Sequence, residues 1–209
     1  MENLSPFFDT LEWVVKNTWP MLAFFLAIIC VVRISSSIIN HEKFVFYKDF
    51  YSLLAIIYFL LLYYLLLSTE KAASGVNLTP FKEMTRYRVG STLFVYNVIG
   101  NIALFIPYGY FISDTLKAKK VHHILIPALI TSLTAEIIQY KIGRAFDVDD
   151  VILNVAGAII GLLIYISIQK IKDKLPPFLK NNIFYNILAI IVLIIIVCCI
   201  GKSFAIGWM

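Results

Sequence analysis

Residues 143–161 read GRAFDVDDVILNVAGAIIG, and the fold turns on how this stretch passes from charge into apolar helix. Arg144, Asp147, Asp149 and Asp150 crowd its start, and Asn154 alone interrupts the apolar run that follows. If a helix begins near Asp147, then Asp147, Asp150, Asn154, Gly157 and Gly161 fall on one stripe, and Asp149 points the opposite way. Gly157 and Gly161 form a GxxxG spacing, which lets a second backbone come close. Carboxylates in a first helical turn also favour the helix dipole, so part of the acidic cluster reads as capping. The stretch predicts two carboxylates and an amide at the mouth of a tightly packed helix pair.

Working outward, the 209 residues have a mean hydropathy of +0.85 and are 60% hydrophobic, which leaves too little polar surface to cover a soluble core. Apolar runs near the roughly 18–20 residues needed to cross a bilayer occur at 19–39, 50–67, 92–112, 121–140, 151–168 and 183–204. The expected fold is all-α and integral to the membrane, with about six transmembrane helices. A polar pocket is expected where spans 3 to 5 meet the loop before them. The first residues are acidic (Glu2, Asp9, Glu12), unlike a cleaved signal peptide, and residues 4–15 read as an interfacial helix. The organisation expected is an interfacial segment with two spans over 1–76, a core over 77–168 and a last span over 169–209. Cys30, Cys198 and Cys199 lie in apolar runs and read as small buried hydrophobes.

The net charge of +5 does not point to nucleic acid in such a chain, because basic residues flank membrane spans and set orientation. Nine lysines fall between spans 1/2, 3/4 and 5/6, and eight lysines and arginines fall on the other side. Arg33 can snorkel toward the first side. Arg86, Arg88 and Arg144 read as chemistry rather than topology. The expected location is the cell membrane, multi-pass, with both termini and the 68–91 and 141–150 loops extracytoplasmic.

Polar residues recur inside the spans. Span 3 contains YNVIGNIALFIPYGYF (96–111), where Asn97, Asn101, Leu104 and Tyr108 share a helical stripe. Span 4 places Ser132, Glu136, Gln139 and Tyr140 on one face, with Glu136 about 6 Å inside its end. A carboxylate at a helix centre costs about 2.5–3.5 kcal/mol on insertion scales and less near the interface, so Glu136 is a functional candidate with an arginine as its expected partner. Helix-joining hydrogen bonds or a salt bridge would account for the same residues. In the loop before span 3, Thr79-Pro80 and Gly75 argue against a continuous helix. Val76, Leu78, Phe81 and Met84 favour a loop packed by its apolar side chains.

NLTPF (77–81), NVIGNIALFIPYGY (97–110), EIIQ (136–139) and GRAFDVDDVILNVAGAIIG (143–161) resemble the VanZ family in order and spacing. These are small bacterial membrane proteins named for a member associated with teicoplanin resistance. The resemblance covers about residues 77–165. It implies a role at the cell envelope and glycopeptide resistance, without supplying a reaction. The positions it marks are Asn77, Pro80, Phe81, Asn97, Gly100, Asn101, Pro107, Gly109, Glu136, Gln139, Gly143, Arg144, Asp147, Asp150, Asn154 and Gly157.

Three functions fit these residues. The first is binding or moving an anionic lipid-linked cell-wall intermediate, or a glycopeptide antibiotic, in an outward-facing polar pocket. Arg144 with Arg86 or Arg88 would grip phosphate. Asn77, Asn97, Asn101, Glu136, Gln139, Asp147, Asp150 and Asn154 would line the site. The second is a membrane enzyme acting on a polyprenyl-phosphate-type lipid, with Glu136, Asp147 and Asp150 as catalytic candidates. Mg²⁺ or Ca²⁺ would then sit on Asp147, Asp149 and Asp150. The third is a non-catalytic scaffold. Binding is favoured over catalysis, because the chain has no nucleophile–base pair and His41, His122 and His123 lie away from the motif. A P-loop is excluded: GKS (201–203) has Ile196 where the first glycine belongs.

Overall fold

The computed structural model describes residues 5–41, 45–68 and 75–206, with side chains at 14, 16–41, 45–66 and 75–198. The side chains of the expected interfacial segment before Val14, and those of Lys43, Lys71, Cys199 and Lys202, lie outside this set. The chain is helical nearly throughout. Five helices are long and apolar enough to cross a membrane: Lys16–Ile39, Phe46–Leu66, Thr92–Leu116, Val121–Lys141 and Val148–Lys174. A shorter apolar stretch, Asn182–Cys198, lies in the last helix. The protein is therefore an all-α, multi-pass membrane protein.

The chain divides into two compact units. The first comprises Met1–Leu61 and Lys174–Met209. In it, α1 (Ser5–Ile39) runs unbroken through Pro20, so the residues expected to form an interfacial helix are continuous with the first span. Arg33 of α1, expected to snorkel, is instead paired with Asp49 of α2 (Phe46–Ser68). The Tyr47 N–H donates to Asn186 Oδ1 of the last helix at 3.0 Å. Cys30 and Cys198 are exposed, contrary to their reading as buried hydrophobes. Their helices turn apolar surface outward here, as Phe24, Val31, Ile194 and Val197 also show.

The second unit, Leu62–Asp173, carries the motif residues. After the end of α2, a short strand β1 (Val76–Asn77) leads to a one-turn helix α3 (Lys82–Arg86). The next span opens as α4 (Thr92–Phe94), passes through a π turn (Val95–Ile99) and continues as α5 (Gly100–Leu116). Then come α6 (Val121–Lys141), β2 (Phe146–Asp147) and α7 (Val148–Lys174). β1 and β2 pair in parallel, Val76 with Phe146 and Asn77 with Asp147.

The core of this unit is the contact between α5 and α7, and glycine makes it possible. A Cβ on Gly157 would fall on the Ile102 carbonyl oxygen and 3.0 Å from Phe105 Cβ. One on Gly161 would fall on the Ile106 carbonyl, and one on Gly109 on the backbone of Ala158. The close approach expected of the GxxxG is thus present, with Gly109 as its counterpart on the facing helix. Phe105, Ala158 and Leu162 are fully buried around it. Leucine at position 157 would push rigid backbones apart. Overpacking of this kind costs about 2 kcal/mol or more. The Gly157→Leu protein is expected to unfold in detergent at clearly lower temperature than wild type, while Gly75→Ala, in open space, is expected to match wild type.

Candidate functional site

Three helix ends and one loop meet in the second unit. They are the start of α5, the end of α6, the start of α7, and the strap from Gly75 to Tyr87.

The end of α6 explains why glycine and arginine begin the motif. Gly143 takes a left-handed conformation (φ 92°), which L residues with side chains rarely adopt. Its N–H donates to the Tyr140 carbonyl at 3.1 Å, and the Arg144 N–H to the Gln139 carbonyl at 3.0 Å. This pair of bonds is a Schellman closure, which satisfies the last carbonyls of the helix and turns the chain sharply. Arg144 and Gln139 then meet the same acceptor: Arg144 Nη1 and Gln139 Nε2 donate to the Leu66 carbonyl at 3.1 and 2.7 Å.

Past the turn, the acids are engaged one by one. The Asp147 N–H donates to Glu136 Oε2 at 3.0 Å. Asp147 Oδ1 accepts from Asn77 Nδ2 and from the Asp149 N–H, both at 2.9 Å. Asn77 in turn accepts the Thr79 N–H through Oδ1 at 3.2 Å, closing the strap's first turn. Asp150 Oδ1 accepts from Asn101 Nδ2 at 2.6 Å, tying α7 to α5. Deeper, Asn154 Nδ2 donates to Ser132 Oγ at 2.9 Å, tying α7 to α6. Arg144 lies near enough to Glu136 and Asp150 for its charge to act on both.

Asp149 is the residue that sequence reasoning undervalued. It is 1% exposed, and its carboxylate accepts three backbone N–H groups of the strap. Oδ1 takes that of Phe81, and Oδ2 takes those of Glu83 at 2.8 Å and Met84 at 3.2 Å. These are the otherwise unpaired donors at the start of α3, where a carboxylate is favoured. The clamp also holds Phe81 in a left-handed conformation (φ 65°), uncommon for a bulky residue. The available signal was its position: an acid opposite the Asp147–Asp150 stripe, on a helix face otherwise apolar.

Several expectations change accordingly. Val76, Leu78 and Phe81 are exposed and only Met84 of the four is half-buried, so the loop is held chiefly by hydrogen bonds. Arg86 and Arg88 are exposed, and Arg86 pairs with Glu83 at 3.1 Å, so neither joins Arg144. Asn97 is exposed and bonds the Leu93 carbonyl of its own helix. A π turn spans 95–99, and within it Val98 is buried. On α6, Ser132, Glu136 and Gln139 are buried together, but Tyr140 is 47% exposed. Among the described residues no three acidic, histidine or cysteine side chains are gathered to hold a metal ion. Asp147, Asp149 and Asp150, expected to hold Mg²⁺ or Ca²⁺, each accept from a different protein donor.

What remains is a small cleft of about 60 Å³ lined by Glu83, Met84, Tyr87, Asn97, Val98, Asp147, Asp149, Asp150 and Leu153. Its charged lining is acidic, and its volume suits one hydroxyl, amide or ammonium group rather than a whole lipid headgroup. Gln139 Oε1 and Asn154 Oδ1, on residues 3% and 2% exposed, accept no hydrogen bond from the described residues.

A multi-span helical protein with its polar groups drawn to one end of three packed helices is the class that this arrangement defines. Residues 50–171 match the VanZ/LLP1 family, and the chain belongs to it. It is 32% identical over 123 residues to Protein VanZ of Enterococcus faecium, a match covering 57% of this chain and 70% of that protein. No solved structure matches.

Two expected outcomes test the strap. In Asp149→Ala, the amides of Phe81, Glu83 and Met84 should exchange with deuterium at least roughly tenfold faster, since hydrogen bonds to a charged acceptor contribute about 1.5–3 kcal/mol. Exchange in α5 and α7 should be unchanged. The second concerns pH. Partial burial pushes the Asp147 carboxyl above the ordinary carboxylate range, against the pull of the Asp149 N–H and the Asn77 amide. A raised value means that this contribution to strap closure is fully present below the ordinary carboxylate range and is lost as pH rises through the raised value. After correction for intrinsic exchange, protection of the strap should fall across that window in wild type and stay flat in Asp147→Asn.

Proposed function

We propose that this VanZ-family membrane protein contributes to glycopeptide resistance at the cell envelope. It does so by binding the headgroup of an anionic lipid-linked cell-wall intermediate at the α5–α6–α7 cluster. The observation that carries this reading is the convergence of Asn77, Asn101, Glu136, Gln139, Arg144, Asp147, Asp150 and Asn154 on one end of the second unit. Packing alone does not ask for so many polar groups in a membrane protein, where each is costly to bury.

The geometry supports a role for each group. Arg144 supplies the cationic contact to phosphate from the Glu136 side. The acid-lined cleft accepts hydrogen bonds from sugar hydroxyls or amide N–H groups of the headgroup. Arg86 and Arg88, on the exposed strap, meet a ligand only at its edge. A glycopeptide antibiotic, rich in the same donors, would compete by placing one such group in this cleft. The lysine distribution favours an orientation with the cluster and both chain termini outside, where either occupant would reach it. The carboxylates are already engaged with protein N–H groups, which favours binding over a metal-assisted reaction.

Arg144→Ala should insert and accumulate like wild type while teicoplanin susceptibility rises to that of cells lacking the protein. In native mass spectrometry, retention of a lipid-linked intermediate by the purified protein should fall roughly 10- to 100-fold, the loss expected for one charge-assisted contact. Full resistance and full retention in Arg144→Ala would overturn this reading.

A further inference from the structure

The second unit has another cavity at the far ends of the same helices. Its volume is about 550 Å³, within the range of small-molecule sites, and it is lined by Lys117, Ala118, Lys119, Tyr165, Ile166, Gln169, Lys170 and Asp173. Lys170 lies twenty residues beyond Asp150 on α7, about 30 Å along the helix. The two sites therefore share no residue, and this one stands whether or not the proposed function does.

The cavity is built by the sharp turn between α5 and α6. Lys117 adopts a left-handed conformation (φ 50°) and caps α5, and the Ala118 N–H returns to the Ser113 carbonyl at 2.9 Å. The turn buries Ala118 (1% exposed) and fans Lys117 and Lys119 outward. Across from it, α7 presents Tyr165, 6% exposed and held edge-on against Tyr110 at 6.0 Å. One turn further along α7 come Gln169 and Lys170. The lining thus carries three ammonium groups against one carboxylate, Asp173, with Ala118, Tyr165 and Ile166 as an apolar wall. Lys117 Nζ also donates to Asp114 Oδ1 at 3.1 Å, a bond that raises its pKa and keeps it charged.

We propose that this lysine-rimmed cavity binds the phosphate headgroup of an anionic phospholipid. Phosphate accounts for the lysines, which hold it as point charges from a flexible rim. The lipid source accounts for the rest: the wall is apolar, the cavity sits at the end of two membrane-crossing helices, and exposed Leu116, Val121 and Ile168 continue from it as surface for acyl chains. A basic pocket between helix ends is the expected form of such recognition.

The test uses the full-length protein, purified and stripped of lipid, titrated by native mass spectrometry with phosphatidylglycerol, phosphatidylcholine and inorganic phosphate. Wild type should retain phosphatidylglycerol over phosphatidylcholine. The triple variant Lys117→Gln, Lys119→Gln, Lys170→Gln should lose that affinity on the order of 100-fold, taking about tenfold or less for each lysine. A triple change of equal charge elsewhere, Lys48→Gln, Lys82→Gln, Lys141→Gln, should leave it intact. The corresponding triple arginine variant should retain binding, which separates lost charge from lost fold. Binding of inorganic phosphate without phosphatidylglycerol would overturn the lipid source. Equal retention of both lipids, or unchanged affinity in the glutamine variant, would overturn the site.

Discussion

The second unit depends on two helix backbones lying closer than side chains allow. Gly157 and Gly161 of α7 rest against the carbonyls of Ile102 and Ile106 on α5, and Gly109 of α5 rests against Ala158. In lipid the apolar effect that drives soluble helices together is weak, so contact of this kind and interhelical hydrogen bonds carry the association. The contact also sets the site. With the backbones this close, a side chain as short as asparagine spans from Asn101 to Asp150.

The polar groups above that contact are arranged so that the acids, buried at Glu136 and Asp149 and half-buried at Asp147 and Asp150, accept from fixed donors. Asp149 takes three backbone N–H groups, Asp147 an amide and a backbone N–H, Asp150 an asparagine, and Glu136 the Asp147 N–H. Burying a carboxylate is tolerable only with such compensation. It has a structural consequence as well. Because Asp149 holds backbone rather than a side chain, it fixes the path of residues 81–84 whatever side chains they bear. The strap can then expose Val76, Leu78 and Phe81 without losing its place.

The sequence made five of the six expected spans legible, because length and hydropathy suffice to define them. It made the close helix pair legible because Gly157 and Gly161 are spaced by one helical repeat. The convergence of Glu136, Asp147, Asp150 and Asn101 was legible as polar residues at the ends of consecutive spans. Three features were not. The π turn at 95–99 leaves no mark in the composition of YNVIGN, and within it Val98 is buried while Asn97 is exposed. The partners of Asp149 are backbone amides, which every residue has, so no pattern announces them. Arg86 reads as an available cation, but Glu83 three residues earlier satisfies it on the same helical turn. In each case the deciding interaction is a backbone geometry or a local pairing that residue type alone does not encode.

The same pair of helices carries opposite charge at its two ends. Where α5 begins and α7 begins, the cleft is lined by Glu83, Asp147, Asp149 and Asp150. Where they end, the cavity is rimmed by Lys117, Lys119 and Lys170. For α7 this follows the helix dipole, acids at the N-terminus and lysines at the C-terminus, and each end is stabilised by it. Dipole complementarity would be served equally by charges facing bulk water, however, and here both sets line concavities. An acid-lined recess selects hydrogen-bond donors and cations, and a lysine-rimmed one selects phosphate. A molecule carrying both kinds of group is too short to bridge about 30 Å unless it is extended. The two ends are therefore separate recesses of opposite charge, joined by one glycine-packed helix pair.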